Sequence, residues 1–443
     1  MHGYNLPFKG KKITLLGLGL LGRGVGDAAF LSECGASITV TDTKTAEQLA
    51  ESLERLKTYP NIIFHLGGHK QEDFETCDLV IKSAGVRLDS PEIAAAHAAG
   101  VAVAMSTALF AKYAMDAGAK IVGVTGTRGK TTVSHMIFHV LQRMGRRVHL
   151  GGNVRGISTL AMLPEIQKGD IAVLELDSWQ LQGFGDLNIS PHVAVFTNLM
   201  PDHQNYYPDM DTYFADKANI FRYQKEGGTL FVGKNIFEKI KAPQARIPEP
   251  IPGDWKLGVL GEHNRENASF AAVALHALGL SDEEIKSGLE SFEGVEGRLE
   301  FVREFNGVKV YNDNNATTPE ATIAALDALD TGRKDITLIT GGSEKGLELD
   351  ELVSAIRSSV SRVIVLTHEK YQGSERLKKE LQAAGIPYIE AGDLLGAIAD
   401  AIENTKEGSV LFSPAFASFG MFKNEYDRND QFLEIVRQMG DVA

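Results

Sequence analysis

Cysteine is nearly absent from this sequence, since Cys34 and Cys77 are the only two among 443 residues. Two thiols can build neither a disulfide framework nor a cysteine-based zinc site, and so few are typical of a reducing compartment. No uninterrupted apolar stretch reaches the roughly 18 residues that a membrane-spanning helix needs, and residues 1–12 contain no hydrophobic signal segment. We therefore expect a cytoplasmic protein without a membrane span.

Positive charge is also scarce, because 45 Lys and Arg residues stand against 58 Asp and Glu residues, a formal net charge of −13. Nucleic acids and anionic membranes are bound by a basic face, so we expect neither as a partner. A locally basic pocket for an anionic small molecule is not excluded. With 43% hydrophobic residues, the chain can form several cores, and its length allows about two to four domains.

Short apolar runs rich in β-branched residues recur along the chain and are followed by stretches of helical periodicity. Such alternation is typical of parallel sheets that helices cover on both faces. The runs lie at residues 13–16, 38–40, 79–81, 121–124, 171–176, 193–196, 336–339, 363–366 and 410–412. A strand–turn–strand unit is predicted at 299–312. We therefore predict an α/β protein whose catalytic groups follow the carboxyl ends of its strands.

The strongest local signal is Gly-Val-Thr-Gly-Thr-Arg-Gly-Lys-Thr-Thr at 123–132, between a predicted strand and a predicted helix. Small residues let backbone N–H groups surround phosphate oxygens, and the helix N-terminus adds a positive dipole. Lys130 would reach the outer phosphates and the Thr131 hydroxyl would bind Mg²⁺. The strict Walker spacing needs glycine where Val124 stands, so this is a variant phosphate loop. The alternative is a glycine-rich turn that binds nothing.

A second glycine-rich turn, Gly-Leu-Gly-Leu-Leu-Gly at 17–22, follows the first predicted strand. Asp42 lies 20 residues after Gly22, as in the dinucleotide-binding fingerprint. The pattern indicates a Rossmann-like first domain, and it leaves open a dinucleotide, a UDP-sugar or glycines that serve packing alone. An NAD-dependent oxidoreductase is therefore one alternative function.

Three ionisable residues of the middle region are candidates for a chemical role. Glu175 follows the apolar run at 171–174, where it could bind magnesium or cap the next helix. His203 lies in a loop after another strand, although a lone histidine is more often structural. Lys217 lies among apolar residues at helical spacing, so by itself it reads as a lysine with a buried stem.

Several motifs, in order along the whole chain, together resemble the Mur ligases. Besides the phosphate loop, they are Leu-Glu-Leu-x-Ser-Trp-Gln-Leu at 174–181, Thr-Asn-Leu-x-Pro-Asp-His at 197–203, Lys217 in Tyr-x₃-Lys-Ala-Asn-Ile-Phe, Gly-Glu-His-Asn-Arg-Glu-Asn at 261–267, Arg298, and Ser-Pro-Ala-x-Ala-Ser-Phe-Gly-Met-Phe-Lys-Asn at 413–424. The resemblance implies three domains: a Rossmann-like UDP-substrate domain at 1–108, a central P-loop-type ATPase at 109–297, and a Rossmann-like amino-acid-binding domain at 298–443.

The first glycine-rich turn and the C-terminal motif resemble the branch of the family that adds D-glutamate to UDP-N-acetylmuramoyl-L-alanine. This implies an ATP-dependent ligase that makes an acyl phosphate in a cytoplasmic step of peptidoglycan precursor synthesis. It also implies two Mg²⁺ ions, a carbamylated Lys217, three small-molecule substrates and a monomer. The alternatives are another ligase of this superfamily with a different amino acid, or the oxidoreductase named above.

The matching motifs also assign a role to individual positions. The catalytic residues would be Lys130, Glu175, His203 and Lys217, and the metal ligands Thr131, Glu175, His203 and Lys217. The ATP contacts would be Gly126, Thr127, Gly129, Lys130, Thr131, Thr132, Asn267, Arg298 and Asp313. The UDP-substrate contacts would be Gly19, Leu20, Leu21, Asp42, Thr43, Ser83, Gly85 and Asn153. The D-glutamate contacts would be Thr317, Lys345 and Ser418.

A few positions depart from the family pattern. Arg128 stands where Asn or His is frequent, so it either adds a cation near the phosphates or points to solvent. Asn314-Asn315 replaces a frequent Ser-Lys pair, which removes a cation that some members use near the substrate, and Glu425-Tyr426 replaces Phe-Glu. These changes affect the expected amino-acid pocket more than the expected ATP site.

Overall fold

Three β-sheets form the framework of the protein, and the computed structural model describes residues 7–20, 22–202 and 206–439. The strands are β1 (Lys12–Leu16), β2 (Ser37–Asp42), β3 (Ile62–Leu66), β4 (Leu79–Lys82), β5 (Ala102–Ala104), β6 (Lys120–Thr125), β7 (Val148–Gly152), β8 (Ile171–Glu175), β9 (Val193–Phe196), β10 (Thr229–Val232), β11 (Ala245–Arg246), β12 (Glu300–Phe305), β13 (Val308–Asn312), β14 (Ile336–Thr340), β15 (Val360–Leu366), β16 (Ile389–Ala391) and β17 (Ser409–Phe412).

Helices connect most of these strands, as an α/β fold requires. They are α1 (Arg23–Glu33), α2 (Ala50–Leu56), α3 (Glu72–Glu75), α4 (Pro91–Ala98), α5 (Ser106–Asp116), α6 (Lys130–Arg143), α7 (Ser178–Asp186), α8 (Met210–Lys217), α9 (Asn219–Arg222), α10 (Lys234–Phe237), α11 (Glu262–Ala277), α12 (Asp282–Glu290), α13 (Pro319–Leu329), α14 (Asp350–Ser359), α15 (Gln372–Ala383), α16 (Leu394–Asn404) and α17 (Glu425–Gln438). A 3₁₀ helix covers Leu160–Glu165. No helix within the described ranges is long and apolar enough to cross a membrane.

The first sheet has the strand order β3-β2-β1-β4-β5, and all its pairs are parallel. The chain leaves β1 toward one edge and returns to β4 on the other side of β1. This reversal opens a crevice at the carboxyl ends of β1 and β4, which is where ligands bind in open α/β sheets. The first glycine-rich turn and the turn after Lys82 both lie there.

The second sheet is also parallel, in the order β11-β10-β9-β6-β8-β7. Strand β6 is central, and its neighbours are β9 and β8. The carboxyl ends of these three strands lead into the phosphate loop, Glu175 and Thr197, so one edge of the sheet collects them. The phosphate loop and Lys217 are therefore neighbours in space, although Gly126 and Lys217 are 91 residues apart in sequence.

The third sheet, β12-β13-β17-β14-β15-β16, is parallel except for the antiparallel pair β12–β13. Alternate residues of its central strands enter two different hydrophobic cores. Val410 and Phe412 belong to one core and Leu411 to the other. Both faces are covered, because successive side chains of a strand point to opposite faces.

The protein divides into two units, residues 1–252 with 267–288 and residues 253–266 with 289–443. The first unit contains the first two sheets, which share one large core, and the second contains the third sheet. The α/β prediction is confirmed, and every predicted apolar run coincides with a strand. Residue 108, the expected end of the first domain, lies within α5.

Candidate active site

The phosphate loop is clamped by the segment that follows β9. Asn198 accepts hydrogen bonds from the backbone N–H groups of Thr127 and Arg128, through its carbonyl at 3.0 Å and its Oδ1 at 2.8 Å. Gly126 has a φ of 147°, and a Cβ atom there would overlap Thr197 Oγ1. The loop therefore requires glycine at this position, both for its backbone conformation and for its close approach to Thr197.

Two lysine side chains converge on the carbonyl oxygen of Gly126. Lys130 Nζ donates to the carbonyls of Gly126 and Thr127, each at 3.1 Å. Lys217 Nζ donates to Gly126 O at 2.9 Å and to Thr125 Oγ1 at 3.3 Å, and the residue is only 1% exposed. Burial, together with the charge of Lys130, holds the pKa of the Lys217 amine well below its ordinary value. The sheet edge is thus a cationic environment suited to phosphate.

Glu175 is the last residue of β8 and is buried. It pairs with Val124 of β6, the strand that leads into the phosphate loop. Its Oε1 accepts a hydrogen bond from Asn153 Nδ2 at 3.3 Å, whereas its Oε2 is buried and accepts none from the residues that the structure describes. Helix α7 is capped by Asp177 in a capping box with Gln180, so the helix-capping alternative for Glu175 is wrong. A buried carboxylate oxygen without a hydrogen-bond donor is suited to a cation.

The remaining expected metal ligand cannot be placed, because His203 lies outside the described residues. Its neighbour Asp202 is described, and the negative charge of Asp202 favours the protonated form of Lys217. Within the ranges that the structure covers, no group of three His, Cys, Asp or Glu side chains is arranged to hold a metal ion.

The first glycine-rich turn is built around a carboxylate of the protein itself. Asp42 is 4% exposed, and its Oδ2 accepts from the N–H groups of Leu18 at 2.9 Å and Gly19 at 3.1 Å. Its Oδ1 accepts from the N–H of Lys44 at 2.9 Å. Leu20 and Thr43, expected beside the uridine, are exposed, and Leu21 lies outside the described residues. Asp42 therefore holds the turn in place.

The turn after β4 lies directly against the first glycine-rich turn. Ser83 N donates to Leu16 O at 2.9 Å, and a Cβ atom at Gly17 would lie 2.5 Å from Ser83 Oγ. Gly85, two residues on, is exposed. The structure thus brings the expected uridine-side and diphosphate-side segments together, whereas Asn153 lies against Glu175 at the second sheet.

Asn267, expected at the adenine, lies beside the start of α6. A Cβ atom at Gly129 would overlap Asn267 Oδ1, and Gly129 caps the helix in the left-handed conformation with a φ of 83°. Thr131 and Thr132 occupy the first turn of that helix. The phosphate loop, Asn267 and the metal-ligand candidates Thr131, Glu175 and Lys217 therefore all lie within the first unit.

In the second unit, Asp313 joins two turns that carry candidate nucleotide residues. Its Oδ1 accepts from Leu299 N at 3.1 Å, next to Arg298, and its Oδ2 accepts from Ser413 Oγ at 2.8 Å. Burial raises the pKa of Asp313 to about 7, and these hydrogen bonds and the charge of Arg298 only partly oppose the shift.

The three expected D-glutamate contacts lie on loops of the third sheet. Lys345 Nζ donates to Thr317 Oγ1 at 3.0 Å. Ser343, two residues before Lys345, donates from its N–H to Ala417 O at 2.9 Å, which brings this loop beside Ser418. The three candidates are therefore carried by neighbouring loops.

Asn314 and Asn315, which depart from the family pattern, form hydrogen bonds that stabilise the fold of the second unit. Sequence reasoning missed this structural role. Arg428 is fully buried and donates to Asn314 Oδ1 and to Asn314 O, both at 2.8 Å. Asn315 Nδ2 donates to Glu296 O at 3.2 Å. No local pattern signalled these contacts, because Arg428 lies 114 residues from Asn314. Asn198, also missed as a clamp, belongs to a motif that was singled out.

Comparison with known proteins identifies the class that this fold and site define. Three family models match the chain in order: "Mur ligase MurD-like, N-terminal domain" over 11–105, "Mur ligase middle domain" over 124–247, and "Mur ligase, glutamate ligase domain" over 297–416. The chain belongs to the Mur ligase family. It is therefore an ATP-dependent ligase with the three-domain α/β fold of that family.

Individual relatives extend the match to nearly the whole chain. Proteins of Roseiflexus sp. (strain RS-1) and Clostridium kluyveri are 32% and 34% identical, cover 97% of this chain, and match over 99% and 97% of their own lengths. Both are named UDP-N-acetylmuramoylalanine--D-glutamate ligase. The solved structure of UDP-N-acetylmuramate-alanine ligase MurC from Thermotoga maritima has a TM-score of 0.63 at 20% identity, covering 96% of this chain and 99% of its own.

Proposed function

We propose that this enzyme joins D-glutamate to UDP-N-acetylmuramoyl-L-alanine with ATP, in a cytoplasmic step of peptidoglycan precursor synthesis. The proposal is carried by the two relatives that bear this name and match over almost their full lengths. It is supported by the cationic phosphate loop, because both reactants of the first step are anions. The oxidoreductase alternative has no such support, because a dinucleotide-binding turn accounts for neither the phosphate loop nor the buried Glu175 and Lys217.

The reaction has two steps. The alanyl carboxylate of the acceptor attacks the γ-phosphate of ATP, forming an acyl phosphate and releasing ADP. The amine of D-glutamate then attacks the acyl carbon, loses a proton, and inorganic phosphate leaves. Lys130 stabilises the charge that develops on the transferred phosphoryl group, which is the main task of a protein in such transfers.

The residues present fit magnesium, because Glu175 Oε2 is buried without a hydrogen bond from any described residue. We propose that Thr131 and Glu175 hold one Mg²⁺, and that His203 and Lys217 serve a second. Bound Mg²⁺ supplies positive charge at the phosphate oxygens. Carbamylation of Lys217 requires a neutral amine, and its lowered pKa supports that proposal.

The substrate contacts follow the family resemblance. The turns with Gly19, Leu20, Leu21, Asp42 and Thr43 would bind the uridine side. The diphosphate and sugar side would be bound by Ser83, Gly85 and Asn153. The nucleotide would be contacted by Gly126, Thr127, Gly129, Thr132, Asn267, Arg298 and Asp313, and D-glutamate by Thr317, Lys345 and Ser418. The domain boundaries 1–108, 109–297 and 298–443 and the monomeric state are part of the same proposal.

The test is phosphate release from ATP and Mg²⁺ with UDP-N-acetylmuramoyl-L-alanine and a panel of amino acids. We expect release that depends on D-glutamate, together with a product whose mass equals acceptor plus D-glutamate minus water. L-Alanine, L-lysine and meso-diaminopimelate are tested as alternative amino-acid substrates. Release with one of these alone would overturn the D-glutamate assignment while leaving the ligase class intact.

A further inference from the structure

A buried lysine lies directly next to the proposed UDP-substrate turn. Lys82 is the last residue of β4 and is only 2% exposed. Its Nζ donates to Val86 O at 3.1 Å, across the turn that contains Ser83 and Gly85. Burying an ammonium group is costly unless hydrogen bonds and opposite charges compensate it. Because it is buried, Lys82 can act on a ligand only through the turn that it holds.

The ammonium group of Lys82 also reaches the second sheet's helices. It lies 3.5 Å from Gln182 Oε1 on α7. Gln182 Nε2 donates to Asp216 Oδ2 at 2.8 Å, and Tyr207 Oη donates to the same oxygen at 3.0 Å. Asp216 directly precedes Lys217 on α8. One chain of hydrogen bonds therefore runs from the substrate turn to the helix that carries a proposed catalytic residue.

A second connection runs beside the first. Arg87 follows the same turn, donates from Nη1 to Tyr206 O at 3.2 Å, and places its guanidinium 4.9 Å from the centre of the Tyr206 ring. The hydroxyl of Tyr206 accepts from Gln182 Nε2 at 3.2 Å. The segment 83–87 is thus tied to the second sheet by one buried cation and one exposed cation.

Charges around Lys82 favour its protonated form. Asp186, Asp177 and Asp216 all act in this direction, but burial outweighs them and lowers the pKa of Lys82 to about 8. Burial raises the pKa values of Asp186 and Asp216. At neutral pH the lysine therefore stays an ammonium ion and keeps three donors for its partners.

We propose that Lys82 is a positioning residue for the acceptor substrate, which holds the Ser83–Val86 turn in register with α8 through Gln182 and Asp216. The proposal rests on the proposed function. The acceptor is long, and its diphosphate is many bonds from the carboxylate that reacts. Binding energy at one end serves the reaction at the other only if the protein fixes the distance between them.

The test compares Lys82→Met with Lys57→Met in the full-length enzyme. Methionine keeps an unbranched apolar stem and removes the ammonium, and Lys57 is a lysine whose side chain is 62% exposed. We expect Lys82→Met to raise KM and Kd for UDP-N-acetylmuramoyl-L-alanine by about tenfold or more, as for loss of one charge-assisted hydrogen bond, and Lys82→Arg to restore part of the loss. The Kd for an ATP analogue, measured by calorimetry, should stay within about twofold.

A purely structural role predicts a different result. In that case Lys82→Met would lower the melting temperature and leave the acceptor Kd unchanged, or would weaken acceptor and nucleotide alike, and either outcome overturns the proposal. Additive effects of Lys82→Met and Gln182→Leu in a double-mutant cycle would contradict the path through Gln182.

If Lys82→Met does not fold, the contact of the exposed Arg87 with Tyr206 provides the test. Arg87→Ala should raise the acceptor Kd by about threefold, while Asp89→Ala, which removes only the surface partner of Arg87, should not. An unchanged acceptor Kd in Arg87→Ala would then refute the proposal. If the unaltered enzyme itself fails to bind this acceptor, the proposed function is what fails.

Discussion

The two glycine-rich turns of the first unit end in the same backbone conformation but have opposite electrostatics. Each follows a parallel strand and ends in a left-handed glycine that caps a helix without a side-chain hydrogen bond. Gly22 has φ 81° and ψ −14°, and Gly129 has φ 83° and ψ −14°. In the first turn a buried carboxylate, Asp42, accepts the turn's N–H groups. In the second turn, the side-chain nitrogens of Lys130 and Lys217 donate to a carbonyl of the turn.

This difference shows that a glycine-rich turn defines a backbone shape and not a ligand. The side chain that reaches the turn from elsewhere sets its charge, and charge decides which ligands it attracts. A turn occupied by a carboxylate suits the uncharged uridine that we propose there, whereas a turn lined by a lysine suits the proposed ATP phosphates. The dinucleotide fingerprint alone therefore left the ligand open, whereas the phosphate loop, with its lysine, favoured a phosphate more specifically.

The largest expected effect comes from removing the cation of the second turn. Lys130→Ala should lower the rate of phosphate release by about 10³-fold, because a charge that stabilises the transferred phosphoryl group is lost. Circular dichroism should show an intact fold. Lys120→Ala, on an exposed lysine at the start of β6, is the matched control. Undiminished turnover in Lys130→Ala would show that the positive charge at the second turn does not serve phosphoryl transfer.

Next in size is the backbone requirement of the second turn. Gly126→Ala should destabilise the protein by about 3 kcal/mol or more, because its Cβ would overlap Thr197 and its φ is unfavourable for alanine. Gly19→Ala in the first turn should cost only about 1 kcal/mol, since no atom lies within 4 Å of the added Cβ. Urea unfolding measures both, and equal costs would argue against different packing of the two turns.

The carboxylate of the first turn should have a smaller effect on stability. Asp42→Asn should lower the free energy of unfolding by about 1–3 kcal/mol. Both carboxylate oxygens of Asp42 accept backbone N–H groups, and the amide N–H₂ of asparagine would place a donor against one of those donors. Asp78→Asn is the matched control, since the exposed Asp78 also accepts a backbone N–H, from Lys12 at 2.8 Å. Thermal unfolding measures both variants, and equal losses of melting temperature would contradict the role of Asp42 in holding the first turn.

The smallest expected effect concerns a second buried carboxylate behind the first turn, on α1. Asp27 Oδ1 accepts from Ser158 Oγ at 2.6 Å, and burial raises the pKa of Asp27 to about 6. A carboxyl with a raised pKa in the folded state stabilises it at low pH, and that contribution is lost as pH rises through about 6.

Asp27→Asn should remove this pH dependence. The stability advantage of the variant over the unaltered protein should grow by on the order of 1 kcal/mol between about pH 5 and 7.5. Melting temperatures across that range measure it, and a constant difference would show that Asp27 does not titrate as described. Helix α6, which follows the second turn, contains no Asp or Glu. The difference in charge between the two turns is therefore repeated in the helices that follow them.

Much of the fold could be predicted because continuous apolar runs mark strands that are buried on both faces. The runs at 121–124 and 336–339 are fully buried within β6 and β14. The edge strands β3, β11 and β16 were not predicted, because they are partly exposed or only two or three residues long. A half-exposed short strand has little hydrophobic signal.

The sequence by itself determined the α/β class, the phosphate loop and the order of the family motifs, because strand, turn and helix patterns depend on neighbours along the chain. Only the tertiary structure decided that Asp42 fills the first turn, that Lys217 meets Lys130 at Gly126, and that Lys82 contacts Gln182 of α7. Those contacts join residues far apart in the sequence, and strand order, which no local pattern encodes, brings them together.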